Sequence, residues 1–210
     1  MGGVIQKGAI FLRVIAGVAR RTVLLAPAGD STRPTADRAK EGLFNVLSPR
    51  IRGARFLDLF CGSGAIGIEA LSRGAAQAVF VDNAPSALSA LKKNLDKTRL
   101  LSSAEIFATD VASAITALAN AKRVFDIIFF DPPYNTYLLE ETLVKIKNCG
   151  LLAPGSVIIA ETDAKVCAET NITVDASADK NASENFGILP ATDRRIYGRT
   201  SFLFFAEDAV

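Results

Sequence analysis

The sequence predicts an α/β fold: a mostly parallel, seven-stranded sheet with helices on both faces, finished by a C-terminal antiparallel hairpin. Three observations predict it. From Arg55 onward, short apolar runs alternate with segments of helical length and period. Those runs are apolar almost throughout, as strands are when both faces of a parallel sheet are covered. The last two, RRIY and TSFLFF, are joined at Gly198 by a link too short for a parallel crossover.

The elements follow in order. FLRVIAG and RTVLLAPAG, with VARR between them, read as a β-hairpin. Residues 1–31 are thus an N-terminal β-hairpin extension, with 1–12 a disordered lead-in, and 32–210 are the main domain. Pro34 suits a helix entry, with Thr35 or Asp37 as its cap. Ala36, Ala39, Leu43, Val46 and Leu47 fall near helical spacing, and Ser48-Pro49 ends the run. RFLDLF is a strand, CGSGAIG a loop, and a helix continues to about Arg73. QAVFVD, AEIFATD and FDIIFFD are further strands, separated by the helices APSALSALKKNLDKT and VASAITALANA. LLEETLVKIKNCG is a helix closed by Gly150, and GSVIIAET is the fifth strand. The polar stretch 164–190 shows no clear element.

The 210 residues suit one domain with a small appendage, and half of them are hydrophobic, enough for a sizeable core. No apolar run approaches the roughly 18 residues of a membrane span. Arg13 interrupts the N-terminal apolar stretch and no small-residue cleavage site follows, which argues against a signal peptide. Cys61, Cys149 and Cys167 form no C-x-x-C pair, which fits a reducing cytoplasm and gives no sign of a metal. The chain has no histidine, which removes His-based triads, His metal sites and His general bases. Residues 1–55 hold ten basic and three acidic residues, a net of +7 against −5 for the remainder. A basic first third on a mildly acidic body suggests an arm for a polyanion.

Gly62, Gly64 and Gly67 form G-x-G-x-x-G between a strand and its helix, a spacing that lets a ligand approach the backbone. A dinucleotide is one candidate. Asp58, four residues before Gly62, argues against it, because a carboxylate aimed into the loop repels a pyrophosphate. It suits a cationic ligand with an ammonium and a sulfonium, S-adenosylmethionine. Asp82 ends the second strand, where a carboxylate accepts ribose hydroxyls, and Asp110 follows the third, within reach of an adenine amino group or as a helix N-cap. Cys61 reads as a small residue filling a tight turn, with no base to make it a nucleophile.

The fourth strand ends in Asp131, Pro132, Pro133 and Tyr134. Methyl transfer to an exocyclic amine of a base needs its delocalised lone pair freed. Two acceptors on the amine hydrogens favour a more tetrahedral nitrogen. Asp131 supplies one, and the Pro132 carbonyl the other. The tandem prolines fix φ and add no competing N–H. Tyr134 offers a ring on which a flipped base stacks.

RVIAG, RPTADRAKEGLFN, FLDLFCGSGAIGIEALSRGA, FVD, FDIIFFDPPY and YGRTSFLFF together resemble the RsmD family of bacterial 16S rRNA guanine-N2 methyltransferases, from about residue 13 to about residue 205. The glycine loop and DPPY are common to many amino-methyltransferases. RPTADRAKEGLFN joined to GSGAIGIEALSRGA is far more specific. The resemblance implies a Rossmann-like class I methyltransferase fold with an N-terminal hairpin, S-adenosylmethionine as cofactor, and a guanine N2 of 16S rRNA as target. It implies a small subunit, assembled or assembling, as substrate and a cytoplasmic enzyme, expected to be a monomer. Asp58, Phe60, Gly62, Gly64, Asp82, Asn83 and Asp110 would hold the cofactor, with Arg33 and Thr35 beside Pro34 at the cleft. Asp131, Pro132, Pro133 and Tyr134 would hold the base. Arg20, Arg21 and Arg38 would meet RNA backbone, by analogy and by charge. Cys61 departs from the small Ala common at its position.

Three other functions compete. An amino-methyltransferase of DNA adenine or protein glutamine would share the same loop and DPPY. An NAD-dependent oxidoreductase is disfavoured by Asp58. A non-catalytic RNA-binding module would have no need of an intact loop and DPPY together.

Overall fold

The computed structural model describes residues 12–27, 37–133, 136–164 and 191–206. Helix α1 (Asp37–Ile51) leads into β1 (Arg55–Leu59), α2 (Ala65–Ser72), β2 (Gln77–Asp82), α3 (Pro85–Thr98), β3 (Ala104–Ala108), α4 (Val111–Asn120) and β4 (Phe125–Phe130). Then come α5 (Thr136–Asn148), β5 (Leu152–Asp163), β6 (Asp193–Tyr197) and β7 (Thr200–Ala206). The strands form one sheet in the order β3-β2-β1-β4-β5-β7-β6. β1 to β5 run parallel, and β7 pairs antiparallel with both β5 and β6. This is the mixed seven-stranded sheet that the alternation of runs predicts.

Side-chain alternation divides each strand between two cores. Phe56, Phe80, Phe129 and Phe202 pack with α1, α2 and α3 on one face. Leu57, Val79, Phe130 and Phe205 pack with α4 and α5 on the other. Burying each of these side chains contributes about 1.5–3 kcal/mol. Rings of Phe129 and Phe202 meet edge-on at 6.3 Å, which fixes the strand that leads to Asp131. The one polar residue buried along β1, Asp58, shares the face of Phe56 and lies against α2.

One expectation needs correction. Pro49 does not end α1, which continues to Ile51. A proline in a last turn forfeits only one terminal hydrogen bond. Ile51 is buried and the Arg50 guanidinium donates to the Gly155 carbonyl at 2.7 Å, so the added turn is held. In the N-terminal extension, residues 12–27 double back antiparallel: Arg13 and Val23 form a bridge, the Val14 N–H donates to the Thr22 carbonyl at 2.9 Å, and the Leu24 N–H donates to the Leu12 carbonyl at 2.7 Å. Other N–H groups of the same stretch turn to the helices. Those of Ile15 and Ala16 donate to the Glu69 carboxylate at 2.7 and 2.9 Å, that of Ala19 to Ser72 Oγ, and that of Leu25 to Asn94 Oδ1. Helices α2 and α3 thus supply partners that a neighbouring strand would otherwise give. At the tip, a Cβ on Gly17 would sit 1.7 Å from the Ser72 carbonyl oxygen, so only glycine allows this approach. Residues 1–11, 28–31 and 165–190 lie outside the described residues.

Candidate active site

All five parallel strands point their carboxyl ends to one edge, where open α/β sheets bind ligands. Asp58 lies at that end of β1, 1% exposed. Its Oδ2 accepts from the Gly67 N–H at 2.8 Å. Burial pushes its carboxyl up to about 8; the Gly67 N–H opposes this, while the charges of Asp131 and Asp82 add to it. The glycine loop closes over this group. Gly64 caps α2 in the left-handed region, φ 78°, with its N–H on the Cys61 carbonyl. Gly67 has Phe80 and the Asp58 carboxylate where a Cβ would stand. Around Gly62, by contrast, a Cβ would meet nothing, so the loop presents open space there.

Asp82 reaches across from β2. Its Oδ2 accepts from the Gly62 N–H at 2.8 Å and its Oδ1 from the Ala84 N–H at 2.9 Å. It therefore holds the loop as well as ending its strand, and a carboxylate with about four acceptor sites has capacity left. Asn83 beside it is exposed. Asp110 is the N-cap of α4, accepting from the Ser113 N–H and hydroxyl at 2.8 and 2.7 Å, bonds that hold its carboxyl below the ordinary range. Phe60 takes a left-handed φ of 58°, a conformation that costs a bulky residue of order 1–3 kcal/mol and is concentrated at functional sites.

Asp131 directly follows β4. Asp58 pairs in register with Phe129, so Asp131 stands about 8 Å from it, one strand across and two residues on. Desolvation by the surrounding protein raises the Asp131 carboxyl. The residue is also open to solvent at the cleft. Pro132 is buried and Pro133 exposed. Tyr134, Arg33, Pro34 and Thr35 lie outside the described residues. Cys61 is buried and its thiol is pushed well above the ordinary value, first by that burial, which fits a turn filler and not a nucleophile.

The three basic positions do not come together. Arg38 is exposed in the first turn of α1, near the carboxyl edge. Arg20 and Arg21 are exposed at the tip of the arm, where the Val18 and Ala19 N–H groups bond Ser72 at the far end of α2. That places them at the amino edge, one helix length of about 12 Å below the glycine loop.

A second polar constellation escaped the sequence reading. Lys40 and Glu69 are fully buried with Nζ and Oε2 3.5 Å apart. Lys40 also donates to the Arg13 carbonyl, and Arg73 bonds Glu69 Oε1 at 2.7 Å. Burial lowers the Lys40 ammonium, and Glu69 opposes that. Nearby, the buried Asn94 amide donates to the Leu25 and Ser63 carbonyls at 3.0 and 2.9 Å. The available signal was a charged residue inside the apolar run GAIGIEALS. These contacts explain why RVIAG, RPTADRAKEGLFN and GSGAIGIEALSRGA occur together: their buried polar groups satisfy one another.

The family model described as Conserved hypothetical protein 95 matches residues 12–206. "Putative rRNA methyltransferase YlbH" of Bacillus subtilis (strain 168) is 37% identical over 196 residues, covering 93% of this chain and 99% of that one. The chain belongs to the RsmD/YlbH family. A second member, "Ribosomal RNA small subunit methyltransferase D" of Escherichia coli (strain K12), is 38% identical over 158 residues, 75% of this chain and 78% of its own. Among solved structures, "Putative methyltransferase yhhF from Escherichia coli" superposes with a TM-score of 0.73 at 29% identity, covering 94% of this chain and 98% of that one. "Crystal structure of SMU.776, a putative methyltransferase complexed with SAH" shares the fold at a TM-score of 0.60 and 17% identity, over 85% of this chain and 52% of that one. The resemblance read from the motifs is therefore borne out at the level of family and fold.

Proposed function

We propose that this chain is an S-adenosylmethionine-dependent methyltransferase of rRNA, acting on the N2 amine of a guanine in the small-subunit 16S RNA. The observation that carries this reading is the pairing of two features one strand apart: a buried carboxyl under an open glycine loop, and Asp131-Pro132 beside it. The family relatives named for rRNA and small-subunit methylation support the RNA as substrate.

The residues fit the cofactor. Asp58 is costly to ionise in its buried place, and a cationic ligand offsets that cost where a pyrophosphate would add to it. Asp82 keeps acceptor capacity for ribose hydroxyls, and Asp110, Phe60 and Asn83 border the same cleft. Bound there, S-adenosylmethionine supplies a methyl group made electrophilic by its sulfonium. The chain's own part is positioning. Asp131 and the Pro132 carbonyl accept the two amine hydrogens and turn the nitrogen lone pair out of the base plane. Tyr134 stacks the flipped base. Effective molarity and preorganised acceptors do the rest, with no histidine base required.

The test is transfer of labelled methyl to unmodified small subunits, naked 16S rRNA and DNA, followed by nucleoside analysis. N2-methylguanosine in a ribosomal RNA sample is the expected product. Label confined to DNA or protein would keep the DPPY chemistry and discard the rRNA assignment.

A further inference from the structure

The carboxyl edge carries Asp82 and Asp110, with Asp131 beside them, acids whose ionised forms repel an incoming phosphate backbone. Arg20 and Arg21 sit at the opposite edge. Among the described residues, the cations that could bring RNA to Asp131 lie elsewhere, and the topology shows where. β7 pairs antiparallel with β5, and Thr200 lies opposite Asp163, the last residue of β5. The turn between β6 and β7 is thus on the same edge as Asp131. In the sheet order β4-β5-β7-β6 it stands two to three strand spacings away, roughly 10–15 Å.

That turn presents arginines. Gly198, φ 65°, makes the two-residue link, and the Arg199 carbonyl accepts from the Ala164 N–H at 2.9 Å. Arg194 is consumed in holding the turn, donating to Ser201 Oγ at 3.2 Å and to the Ala164 carbonyl at 3.3 Å. Arg199 is exposed and its guanidinium has no partner among the described residues. Arg195 is exposed and paired only with exposed Asp193, a contact worth little and easily exchanged for a phosphate. Arg38 joins them. It precedes Gly42 by one helical turn on the same face of α1, and the Tyr197 ring occupies the space a Gly42 Cβ would take.

We propose that the β6–β7 hairpin is a phosphate-binding surface, with Arg199 and Arg195 gripping the rRNA backbone that flanks the target base and Arg38 completing the patch. This rests on the rRNA reading above. A competing explanation is that arginines merely blunt an exposed edge strand against pairing with another chain.

The experiment compares wild type with Arg195→Ala/Arg199→Ala, Arg199→Lys and, at the amino edge, Arg52→Ala. The readouts are KM for unmodified small subunits at several salt concentrations, affinity for S-adenosylhomocysteine, and Tm. In the double variant, KM for subunits should rise roughly tenfold. The slope of its salt dependence should flatten by roughly 1.5, the effect of removing two cations that each neutralise a phosphate. Cofactor affinity and Tm should hold. Arg199→Lys should keep the salt slope, and Arg52→Ala should match wild type. An active wild type beside a double variant with unchanged KM and slope would overturn the hairpin surface while leaving the rRNA reading intact. A wild type that methylates no RNA would remove both.

Discussion

Asp58, sealed beneath the glycine loop, keeps its proton to about pH 8. A cationic ligand lowers that value, so binding near neutral pH expels a proton. Affinity for S-adenosylmethionine should therefore climb up to tenfold per pH unit between about 6 and 8 and then level off. Titration calorimetry in buffers of different ionisation enthalpy should register about one proton released at pH 7. Proton release near zero would remove Asp58 from the cation's surroundings. The same shift has a cost in stability. The folded-state value lies above the unfolded one, so the stabilisation is complete below about pH 4 and declines as pH rises towards 8. Asp131 acts differently, since its ionised carboxylate is the stronger acceptor for an amine hydrogen. Its raised value displaces the acidic limb of kcat upward from the usual carboxylate range. Asp131→Ala should lower kcat by about 10²–10³ with cofactor affinity kept. Asp131→Asn, a neutral acceptor, should retain part of the rate and lose the acidic limb. Steady-state kinetics from pH 5.5 to 9 separate these outcomes, and an equal loss of cofactor affinity in Asp131→Ala would contradict the role.

At the scale of elements, the parallel strands were legible because burial on both faces leaves an unbroken apolar run. The acids at strand ends were legible for the same local reason: each interrupts such a run at its carboxyl end. The arm was not. Its N–H groups find Glu69 53 and 54 residues away, and no local pattern announces a partner that remote. A prediction belongs to this junction. Glu69→Gln removes the buried counter-charge next to the Lys40 ammonium, a loss of about 3–5 kcal/mol. For a chain of this size the Tm should fall by roughly 6–20 °C. Replacing both partners, Lys40→Met with Glu69→Gln, should recover part of that fall in thermal denaturation. A Glu69→Gln protein as stable as wild type would show that the pair is not holding the arm.

The whole molecule divides its sheet by task. β1, β2 and β3 present the glycine loop and its acids, while β4, β5, β7 and β6 present Asp131 and the arginine hairpin. Counting charge along the chain placed the basic region in the first third. Among the described residues, Arg20 and Arg21 of that third lie at the amino edge, and the antiparallel return of β7 sets Arg199 at the carboxyl edge. Distance along the sequence could not reveal either placement. One side chain spans the division between arm and loop. Asn94 is fully buried, and its amide grips Leu25 in the arm and Ser63 in the glycine loop together. If either side lets go, a buried polar group is stranded at about 1–3 kcal/mol. The two segments therefore share their opening fluctuations as one cooperative unit. A small molecule that settles the loop will slow amide hydrogen exchange at Leu25, in an arm it never touches.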